Sequence, residues 1–313
     1  MLRRSIMKST AAIGAATALG LGLAACGVES EDGDSSSDGG TDAIDFGLPE
    51  GEGEITLGVI PGWDEGVVAT EVWRQALDSA GYDVTVEEIG EAGVLFEGLA
   101  SGDIDLFLDG WLPVTHATYM DSYGDQLEQL GTWNENAALT VAVPSYVEDV
   151  NSLEELNDNA DLFGNRIVGI EPSAGLTEAV ADSTIPTYGI EDLELETSST
   201  ATMLGELDSA IAAEEPIVVT LWQPHWAYAK YDLKNLEDPE GTLGDVETIN
   251  TLANLDFSSE FPELAETIGS FKLSDEQLAE LEQVVFDEDQ HDGDVEAGVT
   301  EWLQENSFQD LVS

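Results

Sequence analysis

Glu54-Ile55-Thr56-Leu57-Gly58-Val59-Ile60-Pro61-Gly62-Trp63-Asp64-Glu65-Gly66 opens the folded part of the chain. Ile55–Ile60 has the length and composition of a buried strand. Pro61-Gly62 breaks it, and Gly66–Ala80 then places Val67, Val68, Val72, Trp73 and Leu77 at helical spacing. Asp83–Glu88 reads as a second strand, Val94–Ala100 as a short helix ended by Ser101-Gly102, and Ile104–Leu108 as a third strand. This βαβαβ order predicts a parallel sheet covered by helices.

The alternation resumes downstream. Leu139–Pro144, Arg166–Ile170, Leu193–Thr197 and Ile217–Leu221 read as strands, with helices over Gly175–Asp182 and Thr202–Glu214. Val246–Leu255 returns the chain to the first region, and amphipathic helices over Ser274–Asp287 and Val295–Asn306 close it. From Glu54 to Ser313 there are about 260 residues, natural for two lobes. The expected fold class is α/β, with lobe I formed by 54–138 plus 249–313 and lobe II by 139–248. Two crossings, near 139–144 and 246–255, make a hinge, so a ligand cleft is expected between lobes.

Three tryptophans follow strand-like runs in Gly- or Pro-containing contexts. They lie in Gly62-Trp63-Asp64-Glu65, Asp109-Gly110-Trp111-Leu112-Pro113 and Leu221-Trp222-Gln223-Pro224-His225-Trp226. Strand ends are where ligands bind in open α/β sheets. Large aromatics there, in a chain with few basic residues, fit a cation without good hydrogen-bond donors, such as a quaternary ammonium compound. Trp73, Trp133 and Trp302 read as packing residues, and Trp226 as support for Trp222.

Before this region, Arg3, Arg4 and Lys8 precede an apolar stretch, Ala11–Leu23, too short to span a bilayer. Leu23-Ala24-Ala25-Cys26 has the form of a bacterial lipoprotein signal. Residues 1–25 are therefore expected to be a signal peptide and Cys26 the lipidated first mature residue; an ordinary secretory peptide is the alternative. Cys26 is the only cysteine, which excludes disulfides and cysteine-based metal sites in the folded part. Residues 26–53, rich in Ser, Gly and acids, read as a disordered tether.

The chain has 66 Asp+Glu against 8 Lys+Arg. Beyond the signal peptide only Arg74, Arg166, Lys230, Lys234 and Lys272 are basic, leaving a formal charge of −61. Such a field disfavours nucleic acid and anionic lipid as partners. Dispersed acid and scarce lysine fit adaptation to high salt, where a Debye length of ~3 Å at 1 M suppresses self-repulsion. A multivalent-cation buffer is the alternative, but no EF-hand spacing supports it. His116, His225 and His291 lack metal-ligand spacing. No phosphate loop or nucleophile elbow is present, so no cofactor and no catalysis are expected. Glu171 lacks a companion nucleophile or base and reads as a loop anchor.

Six stretches together carry a specific resemblance covering about 54–305: Gly62-Trp63-Asp64-Glu65, Trp111-Leu112-Pro113-Val114-Thr115-His116, Val143-Pro144-Ser145-Tyr146, Gly169-Ile170-Glu171-Pro172-Ser173-Ala174-Gly175, Trp222-Gln223-Pro224-His225-Trp226 and Tyr231-Asp232-Leu233-Lys234. In these the chain resembles the substrate-binding lipoproteins of ABC importers for glycine betaine and related compatible solutes. The resemblance implies a two-lobed periplasmic-binding-protein fold of type II-like form. It implies as partners a membrane permease and its ATPase, a location on the outer face of the cell membrane, and a monomer held by its lipid alone. By the same resemblance Trp111 and Trp222 are cage walls, with Trp63 a third. Some relatives carry a further Trp near Leu273, which this chain lacks; Tyr146 is the substitute expected at the cleft edge.

A trimethylammonium group offers no N–H, so aromatic faces hold it, at about 0.5–1 kcal/mol each when exposed and about 2 when desolvated. A betaine carboxylate needs donors as well. The turn and helix start within Gly169–Gly175, including Ser173 and Ala174, supply free N–H groups and a hydroxyl; amides after Trp63, and His225 or His116, are further candidates. Asp64 and Glu65 have two readings. They cap the following helix, or they favour a ligand with a hydroxyl and no acid, such as choline. An enzyme acting on a quaternary amine is the remaining alternative.

Overall fold

The computed structural model describes Ile44 and residues 46–287 and 290–313. The expected signal peptide, Cys26 and most of the tether lie outside the described residues. Nine strands occur among the described residues: β1 (Glu54–Val59), β2 (Asp83–Glu88), β3 (Leu106–Leu112), β4 (Leu127–Pro144), β5 (Arg166–Gly169), β6 (Glu194–Thr197), β7 (Val219–Gln223), β8 (Leu233–Asn235) and β9 (Glu247–Asn254). They follow the order β2-β1-β3-β9-β4-β7-β5-β6, with β8 beside β4.

β1 lies between β2 and β3, parallel to both, as the βαβαβ order requires. The first helix, α1 (Asp64–Ser79), buries Val68, Val72, Trp73, Ala76 and Leu77 along one face. The second, α2 (Ala92–Ser101), ends at Gly102, whose φ of 80° gives the left-handed C-cap that glycine accepts without strain. The expectation of a wholly parallel sheet fails at β3, because β9 pairs with it antiparallel, Trp111 opposite Ile249. That pairing also carries β3 past Leu108 to Leu112.

β4 is the spine of the molecule. It is 18 residues long, where the sequence predicts a strand only over Leu139–Pro144. Its first part, from Leu127 to Ala137, pairs with β9 through three register shifts. From Ala138 it changes partner and runs antiparallel to β7, Leu139 opposite Trp222. β7 and β6 flank β5 in parallel. One group of strands thus carries Trp111, the other Trp222, and β4 joins them.

A helical run after β5 extends from Gly175 through Tyr188, longer than the predicted Gly175–Asp182. Helices Asp275–Phe286 and Val295–Glu305 match the two amphipathic segments, the first opened by a Ser274/Gln277 capping box. Trp73 meets Phe271 and Phe308 edge-on, and Trp133 and Trp302 are also buried. The packed region begins before Glu54. Phe46 is buried, meets Phe308 edge-on at 5.3 Å, and its carbonyl accepts from Gln309 Nε2 at 3.0 Å. The tether predicted over 26–53 is thereby shortened at its C-terminal end, since a single aromatic residue there docks into the core. Among the described residues no helix is long and apolar enough to cross a membrane.

Candidate functional site

The ends of β1, β3, β5 and β7 converge on one cavity with about 300 Å³ of empty space, lined by Trp63, Trp111, Trp222, Glu65, His116 and the Ala174–Leu176 turn, together with Thr115, Leu139 and Ile170. Trp63 arrives through Gly62, whose φ of 90° turns the chain between β1 and α1. Trp111 and Trp222 sit inside β3 and β7, where strand pairing fixes their direction. All three rings are buried.

Each ring is tied by its indole edge to a buried carboxylate. Trp222 Nε1 donates to Glu65 Oε2 at 2.8 Å, Trp111 Nε1 to Asp109 Oδ1 at 2.8 Å, and Trp63 Nε1 to Glu171 Oε2 at 3.3 Å. Glu171 also accepts from the Thr200 amide at 2.7 Å and the Thr200 hydroxyl at 2.9 Å, which fulfils its reading as an anchor. Trp226 lies outside the cavity lining, as expected of a support, and donates to Asp64 Oδ2 at 2.5 Å. With its N–H occupied, an indole can offer a bound cation only its negative face.

Among the described residues no Lys or Arg lines the cavity. Burial raises Asp64 to about 7 against the hydrogen bond from Trp226, which lowers it. Burial likewise raises Glu65 to about 8, with a smaller push from the Asp64 charge. Asp109 is raised well above the usual carboxylate range, by burial first and then by the Glu65 charge. Glu282 is raised well above that range by burial, with Glu65 and Asp64 adding to it.

His116 stacks on Trp63, ring centroids 5.7 Å apart. Its Nδ1 accepts from the Trp111 amide at 3.0 Å, so the proton of the neutral ring sits on Nε2, which is buried without a partner. Burial lowers this histidine to about 3, keeping it neutral. Beside it, Gly175 and Leu176 begin the 175–188 helical run, whose first N–H groups have no intrahelical acceptor.

The remaining predicted site residues fall elsewhere. Tyr146 is 42% exposed and donates to the Glu215 carbonyl at 2.7 Å, away from the cavity. Ser173 is outside the lining; its Oγ accepts from the Ala92 amide at 3.1 Å, at the start of α2. His225 lies behind Trp222, edge-on at 4.6 Å, with Nδ1 accepting from the Ala227 amide. Asp64 and Glu65 sit in the first turn of α1, but neither gives α1 a side-chain cap; they hold indoles instead. Leu273 is buried, its amide donates to the Trp133 carbonyl at 3.0 Å, and it is not part of the cavity lining. Thr115 and Asp109 were not singled out from sequence. Thr115 is held by Glu247, which accepts from its amide at 2.9 Å and from its hydroxyl.

Fold and cavity together define a two-lobed solute-binding protein of the periplasmic type. Residues 53–305 match the model of the family described as the substrate binding domain of ABC-type glycine betaine transport systems, and the chain belongs to that family. The glycine betaine/carnitine transport binding protein GbuC of Listeria monocytogenes is 34% identical over 152 residues, 48% of this chain and 49% of that protein. The match thus spans about half the length of that curated relative. The glycine betaine, L-proline ABC transporter binding protein ProX of Borrelia burgdorferi superimposes with a TM-score of 0.76 at 28% identity, covering 83% of this chain and 97% of that one. Lactococcal OpuAC, solved closed with glycine betaine, gives 0.75 at 31% identity, covering 83% and 99%.

Proposed function

We propose that this chain is the extracytoplasmic substrate-binding component of an ABC importer for glycine betaine or a related quaternary ammonium osmolyte. One observation carries the reading: three buried tryptophans line one small cavity, each with its N–H bonded to a carboxyl oxygen. The ammonium group rests on Trp63, Trp111 and Trp222. The ligand's acid end meets the N–H groups of Gly175 and Leu176 and His116 Nε2. Two or three desolvated cation–π contacts plus methyl burial reach about −8 kcal/mol, micromolar affinity. A choline binder is the alternative, favoured by Glu65 in the lining and the absence of a basic residue there.

The two strand groups act as lobes, 54–138 with 249–313 and 139–248, hinged where β4 changes partner and where β9 begins. The permease and its ATPase receive the closed form. Cys26, lipidated after removal of residues 1–25, holds the protein at the outer face of the membrane; Cys26→Ala is expected to release it into the medium. Titration with glycine betaine, proline betaine, carnitine and choline, followed by Trp fluorescence, tests the ligand class. Trp111→Ala and Trp222→Ala should each weaken binding by about 1–3 kcal/mol. Silence toward all four solutes sinks the proposal.

A further inference from the structure

Glu65 and Asp109 are joined by more than proximity. They come from the start of α1 and from β3, and each holds the indole of a cage wall, Glu65 that of Trp222 and Asp109 that of Trp111. Gly66 lets them approach: a Cβ there would lie 2.7 Å from Asp109 Oδ2. Asp109 Oδ2 is buried without a donor. Two buried carboxyl groups whose charges act on one another, with no basic side chain in the cavity lining, cannot both ionise at little cost.

We propose, on the basis of the quaternary ammonium reading above, that Glu65 and Asp109 form a proton-holding pair that matches the charge of the cage to the charge of its ligand. With the pair protonated, the cavity is neutral and suits a zwitterion, whose own carboxylate balances its ammonium. A ligand that is a net cation, such as choline, brings an unbalanced charge into a dry site, which is costly. The pair answers by losing one proton. The O–H bond of a carboxyl breaks, the proton passes to solvent, and the carboxylate left behind the ring neutralises the ligand.

The other groups facing the pair fit this role. Asp64, on α1, and Glu282, on the helix Asp275–Phe286, are also buried and raise Glu65 or are raised by it. His116 and His225 are held neutral by burial and supply no positive charge. Lys230 lies over the Trp226 and Tyr231 rings, outside the cavity lining. The cation that draws a proton from this group is therefore the ligand.

Linkage makes the idea measurable: a ligand that releases one proton gains tenfold in affinity per pH unit while the pair remains protonated. Calorimetric titration of the full folded protein at pH 6–8, in buffers of different ionisation heat, reads both affinity and proton count. About one proton released per choline and none per glycine betaine is expected, with choline affinity rising up to tenfold per unit and that of glycine betaine not following. Glu65→Gln and Asp109→Asn should each flatten the choline slope, whatever they do to affinity itself. Parallel pH profiles, equal proton counts, or glycine betaine binding with no choline binding at pH 8 overturn the pair's role and leave the proposed function standing. Binding of neither solute at any pH overturns both.

Discussion

Replacing Gly175 by alanine tests whether the cage works by closing. Gly175 starts the helical run after β5, on the Trp222 side of the cavity, and a Cβ built on it lies 2.0 Å from the Thr115 carbonyl oxygen and 2.7 Å from Thr115 Cγ2. Ordinary contact begins near 3.4 Å, so the two sides must part by more than 1 Å. Thr115 cannot yield easily, because Glu247 holds its amide and hydroxyl. Parting re-wets the rings, and each cation–π contact falls from about 2 kcal/mol toward 0.5–1. Over two or three rings the loss is about 2–4.5 kcal/mol, roughly 30–2,000-fold in Kd. In the proposed open form the methyl group is parted from Thr115, and alanine favours the helix by up to about 1 kcal/mol. The free variant should therefore unfold at or slightly above the wild-type temperature while its ligand-induced rise in Tm shrinks. Calorimetric titration and thermal unfolding, with and without glycine betaine, read both. Binding within threefold of wild type would refute the reasoning.

Glu171→Ala should strand three buried donors, Trp63 Nε1 and the Thr200 amide and hydroxyl, at about 1–3 kcal/mol for each left unmet; binding should weaken, and Glu171→Gln should recover part of it. Phe46→Ala should cost about 3–5 kcal/mol in urea unfolding, whereas a free tether over 46–53 predicts no change. Stability should fall from pH 6.5 to 8, measured in 1 M salt to screen the surface acids. Asp64 and Glu65 are raised to about 7 and 8, so their contribution is complete below about pH 4 and is lost as pH climbs through those values, by up to about 1.4 kcal/mol per unit for each group. His116 and His225, lowered to about 3, act oppositely below pH 6.5, which makes the upper window the decisive one.

Much of this protein is written in local pattern. Ile55–Ile60 and Arg166–Ile170 show as strands because buried parallel strands are short apolar runs, Asp83–Glu88 shows through the alternation of Val84 and Val86 with polar residues on an edge strand, and α1 shows through its apolar face. The three cage tryptophans stand out by residue type and by their place after such runs. Less legible are the segments whose shape depends on distant partners. Leu127–Ala137 carries no clean alternation because it pairs with β9 through three register shifts, so only the last third of β4 is legible in the sequence. Tyr146 shares the strand-end position of the tryptophans, yet the turn after Pro144 directs it to the Glu215 carbonyl.

By itself the sequence determined the α/β class, the family and the three tryptophans that line the cavity, since periodicity and residue type act within a few positions. Only the tertiary structure decided what stands behind those tryptophans. Asp109, Glu171 and Glu65 become indole anchors because β3, the loop after β5 and the start of α1 meet at one point. The contacts of Glu171 and Glu65 with their indoles span 108 and 157 residues and carry no local signature, whereas Asp109 lies only 2 residues from Trp111. The same meeting removes water from Asp109 and Glu65, and that loss of solvation raises both carboxyl groups above their ordinary range.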